Sequence, residues 1–226
     1  MIDAAGVPDA GAFLARVTRL DPGAVVRLRS AGGGAVALWC RLPFGVLVTR
    51  RVPGTADDDL TVAAGALAAV LAVPGAAWPA RDDAAWRWPL PPVHGARIVE
   101  RLPTAEVRRL SEAAADTVRS AAAEGVGGRA VGSRALRDAL LDHVPVVVTT
   151  EGGERIAVGQ RLIQAITRMG FLGSGRAPDG SDPAPDVAIL VAGAWVGLAA
   201  AYGSAWHRAT DALLLRPEPG RPRPNG

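Results

Sequence analysis

Between Asp9 and Leu20 the apolar residues follow a helical pitch, with Phe13, Leu14, Val17 and Leu20 on one stripe. Asp9 is placed to cap this helix, and Asp21-Pro22-Gly23 ends it. The period then drops to two. Val25 to Arg29, Ala35 to Leu42 and Val46 to Val52 alternate as strands, separated by Gly32-Gly33-Gly34 and Pro43-Phe44-Gly45. A three-stranded antiparallel meander is predicted, its glycines read as a hairpin turn and not as a phosphate cradle. An acidic loop at Thr55 to Asp59 leads into an Ala-rich run, Leu60 to Val73, which is predicted as a helix stopped by Pro74-Gly75.

Residues 74–95 interrupt the pattern. Three of the six tryptophans, Trp78, Trp86 and Trp88, lie here. In Trp86-Arg87-Trp88-Pro89-Leu90-Pro91-Pro92 the spacing of two puts both indoles on one side of an extended chain. Trp86 and Trp88 are therefore candidate contacts for a ligand or partner, such as a nucleobase or a proline-rich peptide. The plainer meaning is that they pack the connection onto a domain.

The second half opens with a strand, Arg97 to Leu102, and a long helix from Pro103-Thr104 to about Glu124. A further helix is expected from Ser133 to His143, with His143 favouring its negative end. Val146 to Thr150 and Arg155 to Val158 read as a hairpin, followed by a helix from Gly159 to Met169 that Gly170 stops. Gly173 to Pro185 reads as a flexible loop, and Val187 to Ala201 as a hairpin turning at Gly193. The expected fold is α+β: two small lobes of antiparallel β-hairpins packed with Ala-rich helices. The lobes span 1–75 and 96–215, a Trp/Pro-rich connection spans 76–95, and a disordered tail spans 216–226. No internal repeat emerges.

Composition narrows the chemistry. A chain of 226 residues hides roughly 70% of its extended surface on folding, enough for a core without staples. All 25 basic residues are Arg, against 22 carboxylates, a net charge of +3. That is far from the balance of a dedicated nucleic-acid binder, and the residue bias is that of a GC-rich genome. Without lysine there is no Walker loop, protein-kinase site, Schiff-base chemistry or Ser-x-x-Lys hydrolase in the usual form. Cys40 is the one thiol and alternates into a core. His94, His143 and His207 form no metal-binding spacing. Gly125-Val126-Gly127-Gly128-Arg129-Ala130 matches a dinucleotide pattern but follows a helix instead of a strand, which is the place of a cap and loop. No catalytic residue, metal or cofactor is expected.

Two stretches suggest partners. Val187 to Trp206 runs 20 residues without a charge, making 187–206 the only candidate membrane span, although Gly193 and the β-branched start favour a hairpin. On the helix 159–169, Val158, Leu162, Ile166 and Met169 face inward. Gln160, Gln164 and Arg168 form another row with Arg161 beside them, residue types that read base edges. The start, Met1 to Pro8, lacks the features of a signal peptide, so a cytoplasmic location is expected.

Gly95-Ala96-Arg97-Ile98-Val99-Glu100-Arg101-Leu102-Pro103, Arg155 to Val158, Thr167 to Phe171, Gly193 to Leu198 and Tyr202-Gly203-Ser204 together resemble an uncharacterised two-part family from GC-rich bacteria, over residues 95–207. That resemblance implies a globular hairpin at 187–201 and brings no assigned activity and no site. The functional expectation is a non-catalytic binding or regulatory protein acting through protein–protein contact or self-association. The alternatives are a small-ligand binder or enzyme with a site between the lobes, and a DNA-binding regulator using helix 159–169.

Overall fold

The helical stripe of Phe13, Leu14 and Val17 is buried along α1 (Val7–Leu20), where Pro8 occupies the first turn and the Asp21 N–H donates the last backbone bond to the Val17 carbonyl. The computed structural model describes residues 1–73, 75–124, 138–173 and 185–208. The expected meander follows as β1 (Val25–Ser30), β2 (Ala35–Arg41) and β3 (Leu47–Pro53). Gly32, Gly33 and Gly34 all take positive φ, a conformation that costs other residues about 1–2 kcal/mol and explains the glycine run without a ligand.

The predicted helix at Leu60 to Val73 is corrected. Leu60–Ala63 is a strand, β4, and only Ala64–Leu71 is helical, as α2. Tertiary pairing overrides local propensity here. Ala63, Val62, Thr61 and Leu60 pair with Val25 to Leu28 of β1, and Thr61 and Val62 are buried. The outer edge of β4 is closed by a short turn: Asp82 N–H donates to the Thr61 carbonyl (2.8 Å), and Thr61 N–H donates to Asp83 Oδ1 (2.7 Å).

The second half supplies β5 (Arg97–Leu102), α3 (Thr104–Glu124), the β6–β7 hairpin (Val146–Thr149 and Arg155–Val158) and α4 (Gln160–Arg168). It closes with β8 (Val187–Ala192), β9 (Trp195–Ala200) and β10 (Gly203–Arg208). The charge-free stretch 187–206 is thus strands, turning at Gly193 with φ +59°. Among the described residues no helix is long and apolar enough to cross a membrane. The dinucleotide-like Gly125 to Ala130, the start of the helix 133–143 (133–137), most of the loop 173–185, and the tail 216–226 lie outside the described residues.

The class is α+β, and the strands of both halves join one antiparallel eight-stranded sheet in the order β4-β1-β2-β3-β10-β9-β8-β5. The order is a palindrome. Each half contributes a helix preceding a three-stranded meander (α1 before β1-β2-β3, α4 before β8-β9-β10). Each also contributes an end strand leading into a helix (β4 into α2, β5 into α3). The last strands of the two meanders meet in the middle, with Leu47, Val48 and Thr49 of β3 opposite Trp206, Ala205 and Ser204 of β10. This approximate two-fold is an internal repeat of architecture that leaves no trace of matching residues. Strand β10, for which the sequence pattern raised no expectation, makes the seam.

Strand alternation sends two sets of side chains to opposite faces. On one, Leu28, Leu38, Cys40, Val48, Ile189, Leu198 and Ala205 are buried in the core that α1 to α4 also enter. On the other, Trp39, Leu47, Ala192 and Trp206 pack with Trp86.

Candidate functional site

Helix α4 is held by Leu162, Ile163, Ala165 and Ile166, all buried, and is stopped by Gly170 at φ +66°. Its opposite side carries Arg161, Gln164 and Arg168, and these three, read from sequence as one polar face, do share one groove. The groove has a volume of about 770 Å³ and is also lined by Arg41, Arg119 and Phe44. Arg161 Nη1 donates to the Phe44 carbonyl (2.7 Å) and its other arm pairs with Asp142, which ties α4 to the β2–β3 turn. Arg168 bonds the Gln164 amide oxygen through Nε (2.8 Å) and Nη2 (3.0 Å). Gln160 is not part of this face. It is 1% exposed in the first turn of the helix, its N–H bonded to the His143 carbonyl (2.8 Å). A row presenting Gln160, Gln164 and Arg168 together to base edges does not exist.

A second cavity, of about 390 Å³, lies over the seam between α1 and the loop after α4. Phe13 and Phe171 stack across it, with centroids 6.3 Å apart and planes at 1°, and Met169 and Tyr202 complete its apolar walls. Arg50 reaches from β3 to the Tyr202 carbonyl and to Asp9, its guanidinium 5.2 Å over the Tyr202 ring. Arg16 lies against Gly170, where a Cβ would stand 2.9 Å from Arg16 Nε. Sequence spacing had no means of finding this slot, because its walls come from α1, β3 and the turn before β10.

Trp86 and Trp88 lie on the face opposite the helices. Their rings meet edge to face at 5.4 Å and 88°, and Trp86 Nε1 donates to the Trp88 carbonyl (2.7 Å). Arg27 stands 6.0 Å over Trp86 and Arg41 5.1 Å over Trp88. Trp86 is 7% exposed, so its indole is spent on packing, while Trp88 is half-buried. Trp39, Trp195 and Trp206 join this face, a gathering visible only once the strands are aligned.

Titratable groups offer little chemistry. Burial pushes the Cys40 thiol far above its ordinary range, which keeps it a protonated core residue. His207 is held below its ordinary value, first by burial and then by the Arg161 charge, with Asp142 opposing. Asp83 is lowered by the Thr61 N–H and by Arg81. Among the described residues no group of three His, Cys, Asp or Glu side chains is placed to hold a metal.

A family model described as Domain of unknown function (DUF8185) matches residues 91–212, more than half the chain. The chain belongs to that family. A second model, Domain of unknown function (DUF8010), matches residues 1–88, so two uncharacterised families cover the chain in succession. No curated protein matches it by sequence. In fold, this DUF8185 protein is similar to bacterial sliding clamps. The Bartonella birtlesii DnaN sliding clamp (DNA polymerase III subunit beta) bound to griselimycin superposes with TM-score 0.54 at 12% identity, covering 91% of this chain and 63% of that one. The Caulobacter crescentus beta sliding clamp gives 0.52 at 15% identity, covering 100% and 68%. The beta subunit from DNA polymerase of Streptococcus pyogenes gives 0.51 at 10%, covering 90% and 62%. The chain thus spans roughly two thirds of the length of these proteins. The likeness is one of fold.

That likeness corrects the functional expectation. A contact or regulatory protein without an assignable role gives way to a clamp-like fold. The halves are joined by the paired β3–β10 seam, and both cavities are lined by residues of the two halves. The base-reading alternative loses Gln160 to burial.

Proposed function

We propose that this protein is a clamp-type tether that lies around duplex DNA with its helices inward and its sheet outward. The observation that carries the reading is the superposition on sliding clamps, TM-scores 0.51–0.54, over nearly the whole chain. The segregation of helices α1 to α4 to one face of a palindromic sheet supports it. Among the described residues, helices α1 to α4 carry seven arginines and five carboxylates, a weakly positive balance. A field that weak would hold DNA poorly by charge alone, but an enclosing protein is retained by topology and needs only enough charge to avoid repulsion. The groove of Arg119, Arg161 and Arg168 would touch phosphates, which position without reading sequence. The seam slot, with aromatic walls and Arg16 at its rim, suits an apolar side chain of a partner protein held to the same DNA. A lysine-free composition supports an origin in a GC-rich bacterium, and a DNA tether there would work in the cytoplasm.

Fluorescence anisotropy with a labelled duplex at low salt tests which face meets DNA. Weak, sequence-independent binding is expected, and the pair Arg119→Ala/Arg168→Ala should flatten the salt dependence by a slope of about 2, one per phosphate contact. The pair Arg51→Ala/Arg87→Ala, on the tryptophan face, should leave it unchanged. The reverse pattern would show that the sheet, not the helices, faces nucleic acid.

A further inference from the structure

The two ends of the eight-stranded sheet are not alike. At β4 the outward backbone groups of Thr61 are taken by Asp82 and Asp83. At the other end β5 pairs only with β8, and among the described residues no strand or turn covers its outer edge. Two details mark that edge as open. Ile98 is 52% exposed, the most exposed large apolar residue in any strand. The Arg101 N–H donates to the side chain of its own neighbour, Glu100 Oε1, at 2.8 Å. An open edge of this kind is a template for another strand.

The sequence of the edge says which strand. Arg97-Ile98-Val99-Glu100 carries opposite charges at its two ends, so a second copy running antiparallel brings Arg to Glu at both ends. The strand pairing to β8 slips by one residue at Val99, so Val99 is the bulged position. Arg97 sits opposite Val191 and Glu100 opposite Ile189, both core residues of the helix face, so the two charges share that face. A two-fold axis perpendicular to the sheet keeps equivalent faces together and brings these charges into register. Arg97 also pairs with Glu154 of the β6–β7 hairpin, which leaves its guanidinium half exposed and able to meet a second carboxylate.

We propose that β5 is the pairing edge for a second copy of this chain, the two β5 strands lying antiparallel across a two-fold axis with Arg97 opposite Glu100 of the partner subunit. On pairing, the Arg101 N–H is released from Glu100 and the freed carboxylate turns to Arg97 of the partner subunit. The joined sheet has sixteen strands, with the helices of both copies on one face. This interface stands or falls apart from DNA binding, because it is read in protein alone.

Sedimentation velocity on the full chain tests it. The unmodified protein should sediment as a dimer. Glu100→Arg should weaken the dimer on the order of 10- to 100-fold, by replacing two attractive pairs with two repulsive ones. The double variant Arg97→Glu/Glu100→Arg should restore it, and Glu154→Gln should leave it intact. With Cys40 buried, Ile98→Cys provides an accessible thiol, and a short bis-maleimide should then give a covalent dimer. A monomeric unmodified protein, a dimer indifferent to Glu100→Arg, a double variant that fails to re-form it while melting at the unmodified temperature, or a dimer that does not cross-link at position 98 would each overturn the proposal.

Discussion

Replacing Trp206 with alanine is expected to cost about 3–5 kcal/mol, because it empties a buried indole site at the seam. Trp206 is 2% exposed, lies opposite Leu47 across the seam, and places its ring over Gly197 so closely that a Cβ there would stand 2.6 Å from it. Its Nε1 donates to Ser204 Oγ (3.0 Å), so the ring satisfies its polar atom locally while burying its apolar surface. For a protein of this size the loss lowers the melting temperature by roughly 2–4 °C per kcal/mol. Trp88→Ala, on the same face but half-buried, should cost distinctly less. Calorimetry of the two variants distinguishes a seam held by Trp206 from a face held evenly by its tryptophans. Equal shifts would contradict the packing described.

Gly203→Ala is expected to be at least as damaging, although it adds one methyl group. Gly203 begins β10 with φ +153°, a region that side chains avoid. An added Cβ would stand 2.7 Å from both the Thr49 carbonyl oxygen and the Phe171 ring. The carbonyl belongs to the strand that β10 must join, so the clash cannot be relieved without parting β3 from β10. A loss on the order of 4 kcal/mol is expected, a large part of the 5–15 kcal/mol that holds a typical protein folded. Gly193→Ala is the control: it also has positive φ, at +59°, but open space around its Cβ, and should cost only about 1 kcal/mol. Denaturant midpoints measure both. A mild Gly203→Ala would mean that the seam yields more easily than its geometry implies.

The sequence made α1, the first meander, β5, α3, the β6–β7 hairpin and α4 legible because each carries its own period and stop signal. It misplaced Leu60 to Ala63, because an Ala-rich run next to a helix gives no sign that β1 needs a neighbour. It was silent on β10, where Gly-Ser-Ala-Trp-His-Arg lacks β-branched residues and its role is set by β3, some 150 residues earlier. The palindrome of the sheet was hidden for a related reason: the two meanders share a layout but not residues. At the candidate site, Arg161, Gln164 and Arg168 were readable as one helix face. Gln160 was misread because residues at the start of a helix can be covered by a neighbouring turn, here the one carrying His143. The seam slot was invisible in principle, since no spacing along the chain joins Phe13, Arg50, Phe171 and Tyr202.

A clamp-type tether differs from an ordinary DNA binder in what releases it. Bound to a nicked circular plasmid at low salt and then washed at high salt, the protein should stay on the circle, and it should leave within the wash once a restriction cut makes the DNA linear. Equal loss from circle and line would mean that nothing encloses the DNA, and would contradict the clamp reading of this fold.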